Sequence, residues 1–330
     1  MCRPRVTVIV PVYNVSQYIE QCARSLFEQT LDSLEIIFVD DCSPDNSIDI
    51  IKKTLEKFPN RKSHTRIITM PSNGGQAAVR KRGIIEATGD YIIHCDGDDW
   101  VDPDYYRTLY QKAIETEADI ICGDYVSEES DGQYLMSLNV SKVSGKVLLE
   151  ELYHRHVHMG VWNKLVRRSL YTDNDILPWT GLNMWEDSGL MYRLLYYARK
   201  IEIVKGPCYH YNRLNPSAMT ATYGLRQVEQ MIGIATRLTE FFAAKPDAKR
   251  YCKSIQALQF YAKLNLITDS FKRLRLYDET FPGAEKIIPD LTLDAFSSKG
   301  RIRFMMVKYH LTWLFILLFK LRGIILRLKN

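Results

Sequence analysis

The sequence predicts an α/β fold in which helices flank a mostly parallel sheet, followed by a helical C-terminal extension. Over the first 125 residues, apolar β-branched segments alternate with segments of helical spacing, as in strand–helix–strand units. The first segment, residues 6–12, carries no charge, which is typical of a strand buried on both faces. From about residue 144 the pattern becomes mainly helical. With 46% hydrophobic and 25% charged residues among 330, the chain has the composition of a folded protein.

Local patterns place the individual elements. Ser16 is predicted to begin the first helix, since the apolar residues after it recur at helical spacing. Asp45 or Asn46 can cap the second helix, and the pair Asp102-Pro103 is a favourable helix start. The predicted strands are residues 6–12, 35–39, 66–70, 91–95, 118–125 and 201–211.

Positive charge is concentrated at the C-terminal end. The net charge is +5, but residues 301–330 hold seven basic and no acidic residues, which leaves 37 basic against 39 acidic residues elsewhere. The uncharged run at 311–319 is too short to span a membrane. Residues 303–330 are therefore predicted to be a basic amphipathic tail that lies on a membrane surface. Alternatively, this tail packs on the protein itself or on a second copy of the chain in a homodimer.

Composition also excludes several classes of protein. Basic residues are not spread over the body of the chain, so nucleic acid is not an expected partner. The N-terminus has no apolar run before a cleavage site, and we expect a cytoplasmic protein, peripheral on the inner face of the cell membrane. The seven cysteines are widely spaced without a CxxC pair, which indicates reduced thiols rather than a zinc site.

The sequence Asp96-Gly97-Asp98-Asp99 after the fourth predicted strand is the sharpest chemical feature. In an extended chain, residues two apart point the same way, so the carboxylates of Asp96 and Asp98 can converge. Gly97 would allow a ligand to approach the backbone closely. Such a pair suits Mg²⁺ or Mn²⁺, which commonly share their oxygen ligands with substrate phosphates. The alternative is a solvated turn in which Asp99 caps a helix.

Two further strand ends carry polar residues that point to the same edge of the sheet. Asp40 and Asp41 end the second strand, where an acid commonly binds a ribose or a base. Asn73 lies in the glycine turn before the third helix, and Arg80 in that helix suggests a cation near a diphosphate. The alternatives are a helix cap, an ordinary turn and a solvated helix face.

Taken together, these segments resemble family 2 glycosyltransferases of the GT-A fold. The resemblance is dense over residues 5–125 and thinner to about residue 217. Two departures stand out: Cys42 replaces a usual Gly, and Lys81 replaces a usual Asn. The segments that carry the resemblance are Pro11-Val12-Tyr13-Asn14, Val39-Asp40-Asp41-Cys42-Ser43, Asn73-Gly74-Gly75, Arg80 to Gly83, Gly89-Asp90-Tyr91, Asp96 to Trp100, Trp162-Asn163-Lys164-Leu165, Glu186-Asp187 and Tyr209-His210-Tyr211-Asn212.

The resemblance implies roles for the donor site. It implies that a nucleotide-diphospho-sugar, usually a UDP-sugar, is the donor and that a metal, Mg²⁺ or Mn²⁺, bridges its diphosphate. Asp96 would lie near the ribose and Asp98 would bind the metal. The residues implied to hold the base are Pro11, Val12, Tyr13 and Asp41.

The resemblance also implies an inverting reaction with a glycan or lipid-linked acceptor in polysaccharide biosynthesis. Asp187 would be the base that deprotonates the acceptor hydroxyl, with Glu186 shaping the acceptor pocket. Trp185 is a candidate for stacking on a sugar, although large aromatic residues are more often core. His210 is a candidate ligand of the metal or diphosphate, or else a packed strand histidine.

Two other functions and a domain division complete the expectations. A sugar-1-phosphate nucleotidylyltransferase would need a glycine-rich basic loop after the first strand, where this chain has Pro11 to Asn14. A scaffold that binds a nucleotide-sugar without catalysis would not need acids at 96, 98 and 187.

The predicted division is a GT-A domain at 1–220, a helical region at 221–302 and the tail at 303–330. Residues 213–223 are predicted to be a lid.

Overall fold

The computed structural model describes residues 4–138, 144–153, 157–219, 224–267, 271–291 and 298–312, with residues 314 and 317. The chain forms two compact units. The first comprises Met1–Leu148 and His158–Ala221, and the second Leu149–Val157 and Thr222–Asn330. The predicted domain limits at residues 220 and 303 stay predictions.

The first unit is built on one sheet with nine strands in its described residues. These are β1 (Val6–Val12), β2 (Leu34–Asp40), β3 (Thr65–Thr69), β4 (Tyr91–His94), β5 (Trp100–Val101), β6 (Ile120–Glu129), β7 (Gly132–Met136), β8 (Lys164–Arg167) and β9 (Ile201–Asn212). The strand order is β3-β2-β1-β4-β8-β6-β9-β5, and β7 pairs with β6.

The N-terminal half of the sheet is parallel. β1 lies between β2 and β4, and β2 also pairs with β3. Val6, Val8 and Val10 of β1 have no exposed surface, because a parallel strand between two others is covered on both faces. The carboxyl ends of these four strands therefore meet at one edge of the sheet.

The other half of the sheet is mixed. β6 and β9 are parallel, whereas β8 is antiparallel to β4 and β6, and β5 is antiparallel to β9. The α/β fold class is confirmed, but the sheet is parallel throughout only in its N-terminal half. Local sequence patterns do not carry the direction of pairing, which depends on the connections between strands.

Helices accompany the sheet, and two of them begin later than predicted. They are α1 (Ile19–Phe27), α2 (Ser47–Glu56), α3 (Gln76–Glu86), α4 (Tyr105–Thr116), α5 (Gly145–Glu151), α6 (Arg168–Thr172) and α7 (Glu186–Tyr197). α1 starts after Ser16, whose amide instead donates to the carboxylate of Asp45 at 2.8 Å. α4 starts after Asp102, because the Asp102 carboxylate accepts the amide of Cys208 in β9 at 2.7 Å.

The second unit is helical. Its elements are α8 (Leu225–Ala243), α9 (Cys252–Leu264), α10 (Phe271–Glu279) and α11 (Ser298–Lys308), with 3-10 helices at Ala248–Tyr251 and Ala284–Asp290. Its core includes Phe260, Leu264 and Phe304. The buried ammonium of Lys263 lies 2.6 Å from the carboxylate of Glu285 and 4.2 Å from the ring centroid of Tyr277, so this charge is paired.

The beginning of the predicted tail packs within the second unit. Arg303 donates to the side chain of Asn265 at 3.1 Å, and the ring of buried Phe304 lies 6.1 Å from that of Phe260. The membrane prediction for residues 303–308 is therefore corrected to a packed helix. Of the later tail, residues 313, 315–316 and 318–330 lie outside the described residues. In the part of the chain that is described, no helix is long and apolar enough to cross a membrane.

Candidate active site

The predicted site residues gather where the parallel strands end. Val12 at the end of β1 is in register with Asp40 of β2, and Ile9 of β1 with His94 of β4. Asp41 follows β2 directly, and Asp96 follows β4 by two residues. The register of the parallel ladder thus brings the acids of two loops to the same edge of the sheet.

Asp41 holds the glycine turn in place. Its two carboxylate oxygens accept the backbone amides of Gly74 and Gly75 at 2.7 and 2.8 Å. The side chain of Asn73 returns a bond to the backbone carbonyl of Asp41 at 3.3 Å. Asp41 is buried, whereas Asn73 and Gly74 are exposed. The structure therefore shows Asp41 ordering a turn whose outer surface is open to a ligand.

Cys42, which stands where the resembling family usually has Gly, adopts a left-handed backbone conformation. Its φ is +59°, a left-handed conformation that glycine adopts most readily. The thiol of Cys42 bonds to the carbonyl of Met70 at 3.1 Å, within the range for a bond to sulfur. The turn that usually carries a glycine is thus kept here with a cysteine.

The three predicted residues at the end of β1 differ in accessibility. Val12 has no exposed side chain and belongs to the core, so it can offer a ligand only its backbone. Its carbonyl is already bonded to the amide of Asp41 at 3.0 Å. Pro11 is partly buried and Tyr13 is 50% exposed. Of the three side chains, that of Tyr13 is the most available to a base.

Gly97 is needed for packing, and its predicted contact with a ligand stays a prediction. A Cβ at this position would lie 2.9 Å from the backbone carbonyl oxygen of Pro11 and 3.2 Å from the side chain of Val15. Gly97 is buried against the end of β1. The absent side chain lets the acidic loop pack on that strand.

The acidic loop is tied to β9 and to the segment after it. The hydroxyl of Tyr209 accepts the amide of Asp96 at 3.0 Å and donates to the carboxylate of Asp99. Asp99 also accepts the amide of Asn212 at 2.7 Å. Asp99 is 1% exposed and is therefore a structural link, not the solvated cap considered from the sequence.

Asp98 has a more open position than Asp99. Its Oδ2 accepts the side-chain amide of Asn215 at 2.7 Å, and its backbone carbonyl accepts that of Asn212 at 3.1 Å. Burial raises the pKa of Asp98, and the bond from Asn215 offsets part of this effect. Asn215 belongs to the predicted lid, whose residues 220–223 lie outside the described part of the chain.

Arg80 joins the acidic loop to the acid pair at the start of α7. Its guanidinium lies 2.8 Å from Asp96, 3.3 Å from Glu186 and 3.7 Å from Asp187. Arg80 has no exposed surface, so a diphosphate cannot touch it in this structure. The prediction that it binds the donor phosphates is corrected: its charge faces the protein's own acids.

Excess negative charge remains around Arg80, because one guanidinium pairs with three carboxylates. Burial lowers the pKa of Arg80, but the acids more than reverse this and raise it overall. Burial and the nearby charges of Asp187 and Asp98 raise the pKa of Asp96 to about 6, against the effect of Arg80. Burial and Asp187 likewise raise the pKa of Glu186 well above its ordinary value. Such a cluster favours an added cation or a retained proton.

The two acids of the pair have different surroundings. Glu186 is 6% exposed and contacts Arg80, so the prediction that it lines an acceptor pocket is corrected to a role in holding Arg80. The side chain of Asp187 is 23% exposed, and its buried Oδ1 accepts no hydrogen bond in the structure. Trp185 precedes them with a φ of +66° and is half-buried. Trp162, by contrast, is 2% exposed and is a core residue.

His210 contacts other groups than the acids of this cluster. Its Nδ1 lies 2.8 Å from Glu128 and its Nε2 3.2 Å from Asp102, while its ring stacks on Trp100 at 5.1 Å. As a metal ligand it would have to give up one of these carboxylates. The packed strand histidine that the sequence left open describes this arrangement better.

The residues present fit a divalent cation that is shared with a ligand. Among the residues the structure describes, no three His, Cys, Asp or Glu side chains form a complete metal site by themselves. Asp98 offers a partly exposed carboxylate beside a cluster with excess negative charge. Mg²⁺ characteristically takes one or two protein carboxylates and completes its shell with water and phosphate oxygens.

Sequence reasoning missed Tyr209, Asn212 and Asn215 as partners of the acidic loop. Their contacts with residues 96–99 span 110 to 117 positions in the chain. The motif that contains Tyr209 and Asn212 gave a signal, but not the identity of the partners. Asn215 lies in a segment without periodicity and gave none.

Comparison with known proteins identifies relatives and structural neighbours. The model of the family described as Glycosyl transferase family 2 matches residues 7–173. The protein EpsH of Bacillus subtilis (strain 168) is 31% identical over 258 residues, which make up 76% of this chain and 73% of EpsH.

Two solved structures share the fold. S. aureus TarS 1–349 in complex with UDP-GlcNAc matches with a TM-score of 0.63 at 20% identity, covering 93% of this chain and 88% of that one. The mannosyltransferase PcManGT from Pyrobaculum calidifontis, in complex with GDP-Man and Mn²⁺, matches with a TM-score of 0.53 at 18% identity, covering 96% and 87%. At these identities the likeness confirms the fold.

Proposed function

The chain belongs to glycosyl transferase family 2 and is a glycosyltransferase, and from this premise we propose that it moves a sugar from a nucleotide-diphospho-sugar to a hydroxyl acceptor. The proposed donor is a UDP-sugar. The proposed acceptor is a glycan or lipid-linked glycan in bacterial polysaccharide biosynthesis. The reaction proceeds in one displacement with inversion at the anomeric carbon and depends on Mg²⁺ or Mn²⁺.

The observation that carries this proposal is the Arg80 cluster. It connects Asp96 at the end of β4 to Asp187 at the start of α7, which are 91 positions apart in the chain. A donor bound at the strand ends and a base for the acceptor are thereby held in one site. The UDP-GlcNAc in TarS and the GDP-Man with Mn²⁺ in PcManGT support the donor class and the metal.

In this proposal, the donor side is formed by the strand-end loops. Tyr13, exposed at the end of β1, packs on the base, and the turn ordered by Asp41 lies beside it with Asn73. Asp96 lies near the ribose. Asp98 holds the cation, which supplies charge stabilisation to the leaving diphosphate when bound. We leave His210 out of the metal site because both its ring nitrogens contact carboxylates.

The acceptor side is formed by the segment that begins α7. Asp187 accepts the proton of the acceptor hydroxyl as the new bond forms, a contribution of typically ~10²–10⁴-fold to the rate. Its partial exposure lets an acceptor reach it. Glu186 and Arg80 hold it in place from the buried side. Trp185, next to the pair, offers a ring for a sugar to stack on.

Residues 309–330 remain the proposed membrane-binding part of the tail. This part of the sequence contains Lys320, Arg322, Arg327 and Lys329 between Leu and Ile residues and no acid. Basic residues near an anionic surface contribute about 1 kcal/mol each. Such binding would bring the enzyme to a lipid-linked acceptor.

The proposed function is tested with a panel of UDP- and GDP-sugars, each incubated with Mn²⁺, Mg²⁺ or a chelator. We expect nucleoside diphosphate to be released from a UDP-sugar with either metal and not with the chelator. Binding without release with any acceptor would indicate the non-catalytic scaffold. Release of pyrophosphate from UTP and a sugar 1-phosphate would indicate the nucleotidylyltransferase. Metal-independent transfer would contradict the proposed metal dependence.

A further inference from the structure

The N-terminus of α3 is capped by a residue from a distant segment. The residue before this helix, Gly75, has no side chain and therefore cannot cap it. The side-chain oxygen of Asn183 accepts the amide of Ala77, the second residue of the helix, at 3.0 Å. This is the bond that a capping residue at position 75 would ordinarily make. Asn183, 106 positions further along the chain, thus supplies the helix cap that the residue at position 75 cannot supply.

The fit between this cap and the glycine turn is close. A Cβ on Gly75 would lie 2.2 Å from the side-chain nitrogen of Asn183, so the amide occupies the space of the missing side chain. Gly75 also has a φ of +78°, which favours glycine independently. The same residue donates its amide to Asp41 at 2.8 Å. The turn is therefore held by Asp41 on one side and by Asn183 on the other.

The segment that carries Asn183 also carries the acid pair. Asn183 lies four residues before Asp187 in the chain, and Trp185 between them has a left-handed backbone conformation. One turn along α3 from the capped amide, Arg80 contacts Glu186 and Asp187. The segment 183–187 is thus attached to α3 at two points, the cap and the ion pairs.

We propose that Asn183 is a positioning residue that sets Asp187 relative to the donor site. It acts through the cap on α3, whose preceding turn is ordered by Asp41. This inference rests on the proposed function, in which Asp41 belongs to the donor site and Asp187 is the base. Without the cap, the segment 183–187 loses its hydrogen bond to the end of α3, and the ion pairs of Glu186 and Asp187 with Arg80 constrain its position less than that bond does.

Replacing Asn183 by Ala is expected to lower kcat by roughly 10- to 100-fold, because a small misplacement of a reacting group has effects of this size. The KM for the donor should stay within about twofold, since Asp41 still orders the glycine turn. Asn183→Asp should restore most of kcat, because a carboxylate accepts the same bond and is favoured at a helix N-terminus. Asn174→Ala, which removes a side-chain bond to Leu170 in the same unit, is the matched control and should keep the wild-type kcat.

Amide hydrogen exchange adds a measurement that needs no substrate. In Asn183→Ala, exchange should accelerate both in residues 75–80 and in residues 184–188, and in Asn174→Ala in neither. Unchanged exchange, an unchanged kcat, or a kcat that Asn183→Asp fails to restore would overturn the inference. If the wild-type protein transfers no sugar, the proposed function fails, and hydrogen exchange alone decides whether Asn183 couples the two segments.

Discussion

Replacing Asp187 by Asn is expected to lower the rate of sugar transfer by about 10²–10⁴-fold with the binding of UDP retained within about twofold. Asparagine keeps the size of the side chain but cannot take the proton of the acceptor hydroxyl. Asp187 is suited to this role because its side chain is partly exposed, so that an acceptor hydroxyl can reach its carboxylate. Initial rates with the donor found in the panel and a calorimetric titration with UDP provide the two measurements.

The matched control is Asp173→Asn, an exposed acid of the same unit whose carboxylate accepts a hydrogen bond from the hydroxyl of Thr172. It should transfer sugar at the wild-type rate. A normal rate in Asp187→Asn would remove Asp187 from the mechanism. A parallel loss of rate and UDP affinity would mean that the substitution disturbs the donor site rather than the base.

Replacing Arg80 by Met is expected to lower the free energy of unfolding of the first unit by about 3–5 kcal/mol. The substitution leaves the buried Glu186 and the partly exposed Asp96 and Asp187 without the cation that compensates them, since Arg80 pairs with all three and has no exposed surface. For a unit of this size the loss corresponds to a decrease of roughly 10 °C in the unfolding temperature. Thermal unfolding followed by circular dichroism measures it.

Arg82 supplies the control for this prediction in the same helix. It is 47% exposed and pairs with Glu86 at the surface, so Arg82→Met should cost at most about 1 kcal/mol. The double variant Arg80→Met with Glu186→Leu should regain part of the lost stability, because it removes one of the unpaired acids. If Arg80→Met fails to fold, Arg80→Lys replaces it in the test. This variant keeps the charge, and its stability should lie below that of the wild-type protein and of Arg82→Met. Equal stability of Arg80→Met and Arg82→Met would contradict the role given to Arg80.

The parts of the fold that the sequence predicts well are those that depend on local pattern. The uncharged residues 6–12 form β1 as predicted, and the acids after β2 and β4 lie at one edge of the sheet because both strands are parallel to β1. The direction of the strands in the second half of the sheet depends on long connections, which local periodicity does not encode. The start of α4 shifts for the same reason, because a distant strand binds Asp102.

The candidate site divides in a similar way. The acids at 96, 98 and 187 are recognisable from motif spacing, but which of them faces solvent is decided by partners far along the chain. The surroundings of the basic residues are decided in the same way. Arg80, Lys81 and Arg82 are consecutive in the sequence, and only the structure shows that Arg80 is buried among acids. The reasons for Gly97 and Asn183 also become visible only in the structure. A side chain at position 97 would clash with the carbonyl of Pro11, and Asn183 supplies the helix cap that Gly75 cannot.

The central claim, that Asp98 would hold a divalent cation that stabilises the charge of the donor's diphosphate, is tested most directly by the electron paramagnetic resonance of free Mn²⁺. Adding the wild-type protein with UDP should reduce the signal of Mn²⁺ in solution, and so should Asp104→Asn, an exposed acid whose Oδ1 contacts Thr30 and Arg107. Asp98→Asn should leave the signal at its value without protein. A signal that wild-type protein does not change, or that Asp98→Asn reduces equally, would contradict the account.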